Sequence, residues 1–168
     1  TFWARYAQGA LPGVGNVMSC LDNFYYFQQE DGAIAREYDP EGKPVQNKTK
    51  EEDTRKTPEY ARHSAFVNPP LFSWAEWEYY QHTGDASRLE RVYPHMGNYL
   101  NWYAENRRRE DGTFWTDGFG CGMDNCPRGD AWGWIDYTGQ TALDCEHLAN
   151  IALELGDHES AMNFSRLY

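Results

Sequence analysis

The chain has 168 residues, 40% of them hydrophobic and 16% aromatic, which is enough for one domain with a sizeable core. Its net charge of -11 disfavours binding to phosphate backbones or anionic lipid, since both attract clusters of Lys and Arg, so no nucleic-acid partner is expected. No apolar run approaches the ~20 residues of a membrane span, and no signal peptide opens the chain.

From Val14 to Gln29 the apolar residues Val14, Val17, Met18, Leu21, Phe24 and Tyr25 fall on one face of a predicted helix that Glu30-Asp31-Gly32 ends. The segment Ala33 to Tyr38 leads into Asp39 to Pro58, read as an exposed excursion because it is charged and broken by Gly42 and Pro44. A second helix is expected from the Asn68-Pro69-Pro70 entry to about Thr83. Gly84 then supplies a left-handed cap and Asp85 accepts the free amides of a third helix. Leu89, Val92, Tyr93, Met96, Leu100 and Tyr103 mark its buried face, Pro94 predicts a kink, and Glu110-Asp111-Gly112 is its expected stop. A fourth helix is expected from Tyr137 to Leu155, with Thr141, Cys145, Leu148, Ala152 and Leu155 inward, and Gly156-Asp157 opens a fifth.

Two signals recur. Glu-Asp-Gly returns after 80 residues and Gly-Asp after 72, a pattern that suggests stacked helical hairpins with tight turns at one end and long connections at the other. Both long connections, Ala33 to Asn68 and Thr113 to Asp136, would then share one face, where a site would be built. The chain begins with Thr and ends inside an amphipathic pattern, so it is expected to be a piece of a larger protein, truncated at both ends.

The stretch from Thr116 to Asp136 stands out. Five glycines and a proline break any regular element, yet it carries four aspartates, an arginine and two tryptophans. A long irregular connection of this kind is usually disordered or functional, and Phe119, Trp132 and Trp134 argue for order. Seven Trp, twelve Tyr and eight Phe also suit a groove for sugars, although most of these rings are expected in the core.

The heptapeptide Gly122-Met123-Asp124-Asn125-Cys126-Pro127-Arg128, followed by Trp134-Ile135-Asp136 and a helix, resembles glycoside hydrolase family 63, including processing α-glucosidase I and the bacterial mannosylglycerate hydrolase-like enzymes. Asp31 to Glu37, Asn68 to Glu76 and Thr83-Gly84-Asp85 look like corresponding stretches of that family and of trehalases. The resemblance implies an all-α fold, part of an (α/α)6 toroid, and an inverting α-glycosidase with Asp124 as general acid and no cofactor. It places the general base, a glutamate, downstream of this chain, so the remainder of the toroid is an expected partner and the isolated polypeptide is expected to be inactive.

Inversion requires an acid and a carboxylate base about 6.5 to 9.5 Å apart on opposite faces of the sugar. A glycine-lined turn flanked by tryptophans can keep Asp124 protonated, although an aspartate capping a turn is the ordinary alternative. Arg128 suits sugar hydroxyls or a pair with Asp130 or Asp136; Asn125 suits a hydroxyl or the turn; Asp136 suits the N-cap of the fourth helix or a ligand. Trp74, Trp77, Trp132 and Trp134 are candidate platforms for an oligosaccharide or small glycoside, with core packing the alternative for Trp74 and Trp77, three apart on a helix; Glu76 and Glu37 are candidate auxiliary carboxylates, with polar contacts or surface groups the more ordinary reading.

No metal site is expected. Cys145, Glu146 and His147 are consecutive on a helix and point different ways, and the aspartates of the central stretch lack calcium-loop spacing. Cys121 and Cys126 pair or stay reduced, and a secretory or endoplasmic-reticulum, periplasmic or cytoplasmic setting stays open. The alternative reading from another class is a non-catalytic helical-repeat carbohydrate-binding protein using the same aromatic groove.

Overall fold

The computed structural model describes residues 18–45, 67–115 and 133–167. Within them the protein is all-α: α1 (Ser19–Tyr26), α2 (Phe72–Thr83), α3 (Ala86–Asn106), α4 (Ile135–Glu154) and α5 (His158–Ser165). The expected start of the first helix at Val14 lies outside the described residues, and α1 stops at the Phe27 cap, short of Gln29.

The Gly-Asp turns form as the sequence requires. Gly84 caps α2 at φ 68°, a left-handed conformation costly for any residue with a Cβ, and Asp85 accepts the Arg88 amide at 3.2 Å to open α3. Asp157 accepts from Ser160 at 3.1 Å and opens α5 in the same way.

Three boundaries differ from expectation. Pro69 and Pro70 precede α2 instead of forming its first turn, because a proline pushes the residue before it out of the helical region. Helix α3 runs through Pro94 as one element and ends at Asn106, not at Glu110, because residues 107–115 fold back as a short hairpin with a bridge between Arg108 and Phe114. Helix α4 begins at Ile135, two residues early, because the Trp134 carbonyl already accepts the Thr138 amide at 2.8 Å.

Helices α2 and α3 both pack on α4, which also packs on α5. Tyr80 near the end of α2 bonds Glu154 at the end of α4, and Tyr93 of α3 bonds Asp157 at the start of α5 at 3.0 Å. The two tight turns therefore sit at one end. At the other, Tyr103 near the end of α3 meets Tyr137 in the first turn of α4, and Trp102 reaches Asp31, in the turn just before the first long connection, at 3.1 Å. The expected separation of tight turns from long connections holds for the described residues.

The core explains why so many rings are present. Tyr99, Trp102, Tyr103 and Tyr137 are among the largest fully buried side chains, packed with Leu89, Met96, Leu100, Leu148 and Ile151. Their hydroxyls need partners once out of water: Tyr99 and Tyr103 both donate to the Asn68 carbonyl, and Tyr103 also meets the Tyr137 hydroxyl.

Candidate active-site face

Among the described residues, the central stretch is flanked by Trp115 and Gly133. Its two ends are tied together: the Trp134 amide donates to the Phe114 carbonyl at 3.2 Å, and the Phe114 amide donates to Thr138 Oγ1 at 2.9 Å. A connection whose ends are one hydrogen bond apart returns to its origin, as functional loops on rigid scaffolds often do. A Cβ at Gly133 would lie 2.3 Å from Thr113 Oγ1 and 2.6 Å from Arg109 Nη1, so a larger residue there would displace those side chains.

The residues flanking this stem are buried. Trp115 and Trp134 are 4% and 5% exposed, and Trp134 belongs to the main core. Arg107 is held between rings, its Cζ 5.1 Å from the Trp102 centroid and 4.6 Å from that of Trp115. Sequence reasoning missed this arginine, which lies in the run Arg107-Arg108-Arg109 just after α3. A pair of tryptophans bracketing that run was the available signal.

Of the residues expected in the site, Asp124, Asn125, Arg128 and Trp132 lie outside the described residues, as do Cys121 and Cys126. Trp134 is the N-terminal boundary of α4. Asp136 lies in the first turn rather than at the N-cap, a correction that follows from the early helix start; there it still faces the positive end of the helix dipole. Trp74 is 38% exposed on α2, whereas Trp77 is half-buried against Tyr80. Glu37 is exposed, 3.4 Å from its neighbour Arg36.

The sequence model of a known family, described as the mannosylglycerate hydrolase MGH1-like glycoside hydrolase domain, matches residues 17–167. The chain belongs to this MGH1-like family. It is also similar to an uncharacterized protein of Borreliella burgdorferi (strain ATCC 35210 / DSM 4680 / CIP 102532 / B31), with 26% identity over 168 residues that cover the whole of this chain and 32% of that protein. The chain thus spans about a third of the length of the curated relative it matches. No solved structure matches it.

In this MGH1-like domain, two buried carboxylates have been given opposite environments. Glu76, expected as a substrate contact, is 0% exposed and accepts from Arg88 Nε at 2.7 Å, Arg88 Nη2 at 2.8 Å and the Tyr25 hydroxyl at 3.0 Å. Both oxygens are engaged, which assigns Glu76 to the joint between α1, α2 and α3 and corrects the expectation of a sugar contact. Arg88 Nη1 also lies 3.0 Å from Asp22 of α1.

Asp144 has no such cation among the described residues. It sits between α4 and α2, accepts the Ser73 amide at 3.2 Å and meets the Ser73 hydroxyl, and burial pushes its carboxyl up to about 6. Because the folded chain keeps this proton longer than the unfolded chain, the stabilisation it contributes is complete below about pH 4 and lost as pH rises through about 6. A shift of about two pH units corresponds to about 3 kcal/mol. Asp144→Asn, which mimics the protonated form, should therefore gain about 3 kcal/mol relative to wild type between pH 4 and pH 7 in urea unfolding. A difference that stays flat with pH would assign the buried proton elsewhere.

Among the described residues no cluster of three His, Cys, Asp or Glu could hold a metal, and no helix is long and apolar enough to cross a membrane. Cys145 is buried, its thiol pushed up to about 12 by burial first and Asp144 second, so it behaves as a small core residue.

Proposed function

We propose that the protein is an inverting glycosidase acting on an α-linked glucoside or mannoside, with Asp124 as the general acid and the general base a glutamate in a later part of an (α/α)6 toroid. The observation that carries the reading is the heptapeptide Gly122 to Arg128 inside the family match, in a stretch whose two ends are fixed on the buried end of α3 and α4. The MGH1-like membership supports a carbohydrate substrate, and the rigid stem supports a loop held for chemistry.

The mechanism follows from the roles. Asp124, kept protonated among glycines and tryptophans, gives its proton to the glycosidic oxygen as that bond breaks, while water activated by the base attacks the anomeric carbon from the opposite face. Asn125 and Arg128 would hold hydroxyls, Trp132 and the exposed Trp74 would offer platforms, and the charge on Asp136 would sit beside the stem.

The stereochemistry tests it. Full-length protein with an α-glucoside or α-mannoside is expected to release the β-anomer first, seen in the anomeric proton signals before mutarotation. Initial release of the α-anomer would exclude inversion, and binding without any cleavage would favour a sugar-binding repeat protein.

A further inference from the structure

We propose that Arg107 is a positioning residue for the central stretch, acting through Trp115. The inference rests on the hydrolase reading for its effect on turnover, but its geometry stands in described residues. Arg107 holds Trp115 twice: its carbonyl accepts the Trp115 amide at 2.8 Å, and its guanidinium stacks 4.6 Å from the Trp115 ring. The same guanidinium carbon lies 5.1 Å from the Trp102 ring centroid, and Trp102 Nε1 donates to Asp31 Oδ2 at 3.1 Å. Asp31 in turn accepts the Ala33 amide at 3.0 Å, so one line of contacts joins the entrances of both long connections.

A second hairpin in the same chain serves as an internal control. Residues 37–45 repeat the hydrogen bonding of residues 107–115: Val45 donates to the Glu37 carbonyl at 2.9 Å as Trp115 does to Arg107, Asp39 donates to Lys43 at 2.9 Å as Arg109 does to Thr113 at 2.8 Å, and the bridge Tyr38 to Pro44 matches Arg108 to Phe114. At the counterparts of Arg107 and Trp115 that hairpin has the exposed Glu37 and Val45. The hairpin therefore forms without a buried cation between two indoles. The stack is an addition made only where the chain departs toward Asp124, and Arg107, Trp102 and Trp115 are 2%, 2% and 4% exposed.

Planarity matters as much as charge here, because a flat guanidinium contacts two ring faces and an ammonium does not. In the full-length protein, Arg107→Lys is expected to speed amide exchange at Trp115 and Trp134 at least tenfold, with the Ala161 amide of α5 unchanged. It should lower kcat at least tenfold and raise KM as well, since the proton donor Asp124 and the sugar contacts Asn125, Arg128 and Trp132 lie on the same stretch. Arg107→Ala should recover turnover with low-millimolar guanidinium and not with methylammonium. Unchanged exchange and kcat in Arg107→Lys, or exchange accelerated equally at Ala161, would overturn the proposal. A wild-type protein inactive on α-glycosides, with the local exchange response present, would sink the hydrolase reading and leave the clamp standing.

Discussion

Replacing Asp124 by Asn in the full-length protein is expected to lower turnover at least a hundredfold while substrate binding stays within a few-fold. The substitution keeps the shape and hydrogen-bonding capacity of the side chain and removes only the transferable proton. General acid catalysis contributes about 10²–10⁴-fold, and an alkoxide-like sugar oxygen is a poor leaving group without it. The loss should shrink for glycosides with an acidic leaving group such as 4-nitrophenol, which departs with little protonation. That dependence separates an acid from a residue that merely shapes the turn: a structural aspartate would depress all substrates alike. Near-normal turnover by the Asn variant on a natural α-glycoside would remove Asp124 from the mechanism.

Much of the scaffold could be read from residue order because its signals are local. Gly84-Asp85 and Gly156-Asp157 encode both the end of one helix and the start of the next, and the structure uses them in that way. The Glu-Asp-Gly repeat likewise marks two turns with one hydrogen-bond pattern, Gln29 to Ala33 at 2.9 Å and Arg109 to Thr113 at 2.8 Å. A third turn of the same form, Asp39 to Lys43, lacks that tripeptide and went unseen, because Pro-Glu-Gly reaches the same backbone through different residues. What stayed hidden depends on contacts distant in sequence. Nothing near Glu76 announces that Arg88 and Tyr25 will meet it. Exposed Trp74 was legible as a candidate platform by residue type alone, and by the same rule so was Trp77, which is half-buried against the core.

Arg88→Met in the full-length protein should destabilise it by roughly 3–5 kcal/mol, because it removes the cation facing a fully buried carboxylate and leaves Glu76 uncompensated. The argument turns on sign rather than size. In wild type, Glu76→Gln should also destabilise, since it weakens two charge-assisted bonds of 2.7 and 2.8 Å. In the Arg88→Met background the same change should stabilise, because there the charge is the liability and a neutral amide still accepts from the Tyr25 hydroxyl. Urea unfolding of the four proteins at pH 7 gives the comparison. The ion pair joins α1 to α2 and α3, so its loss should loosen α1 first; Asp22, also 3.0 Å from Arg88, would keep only the exposed Arg91 at 3.5 Å. If Glu76→Gln destabilises both backgrounds equally, the carboxylate has another compensating partner, and the joint between these three helices is held by packing instead of charge.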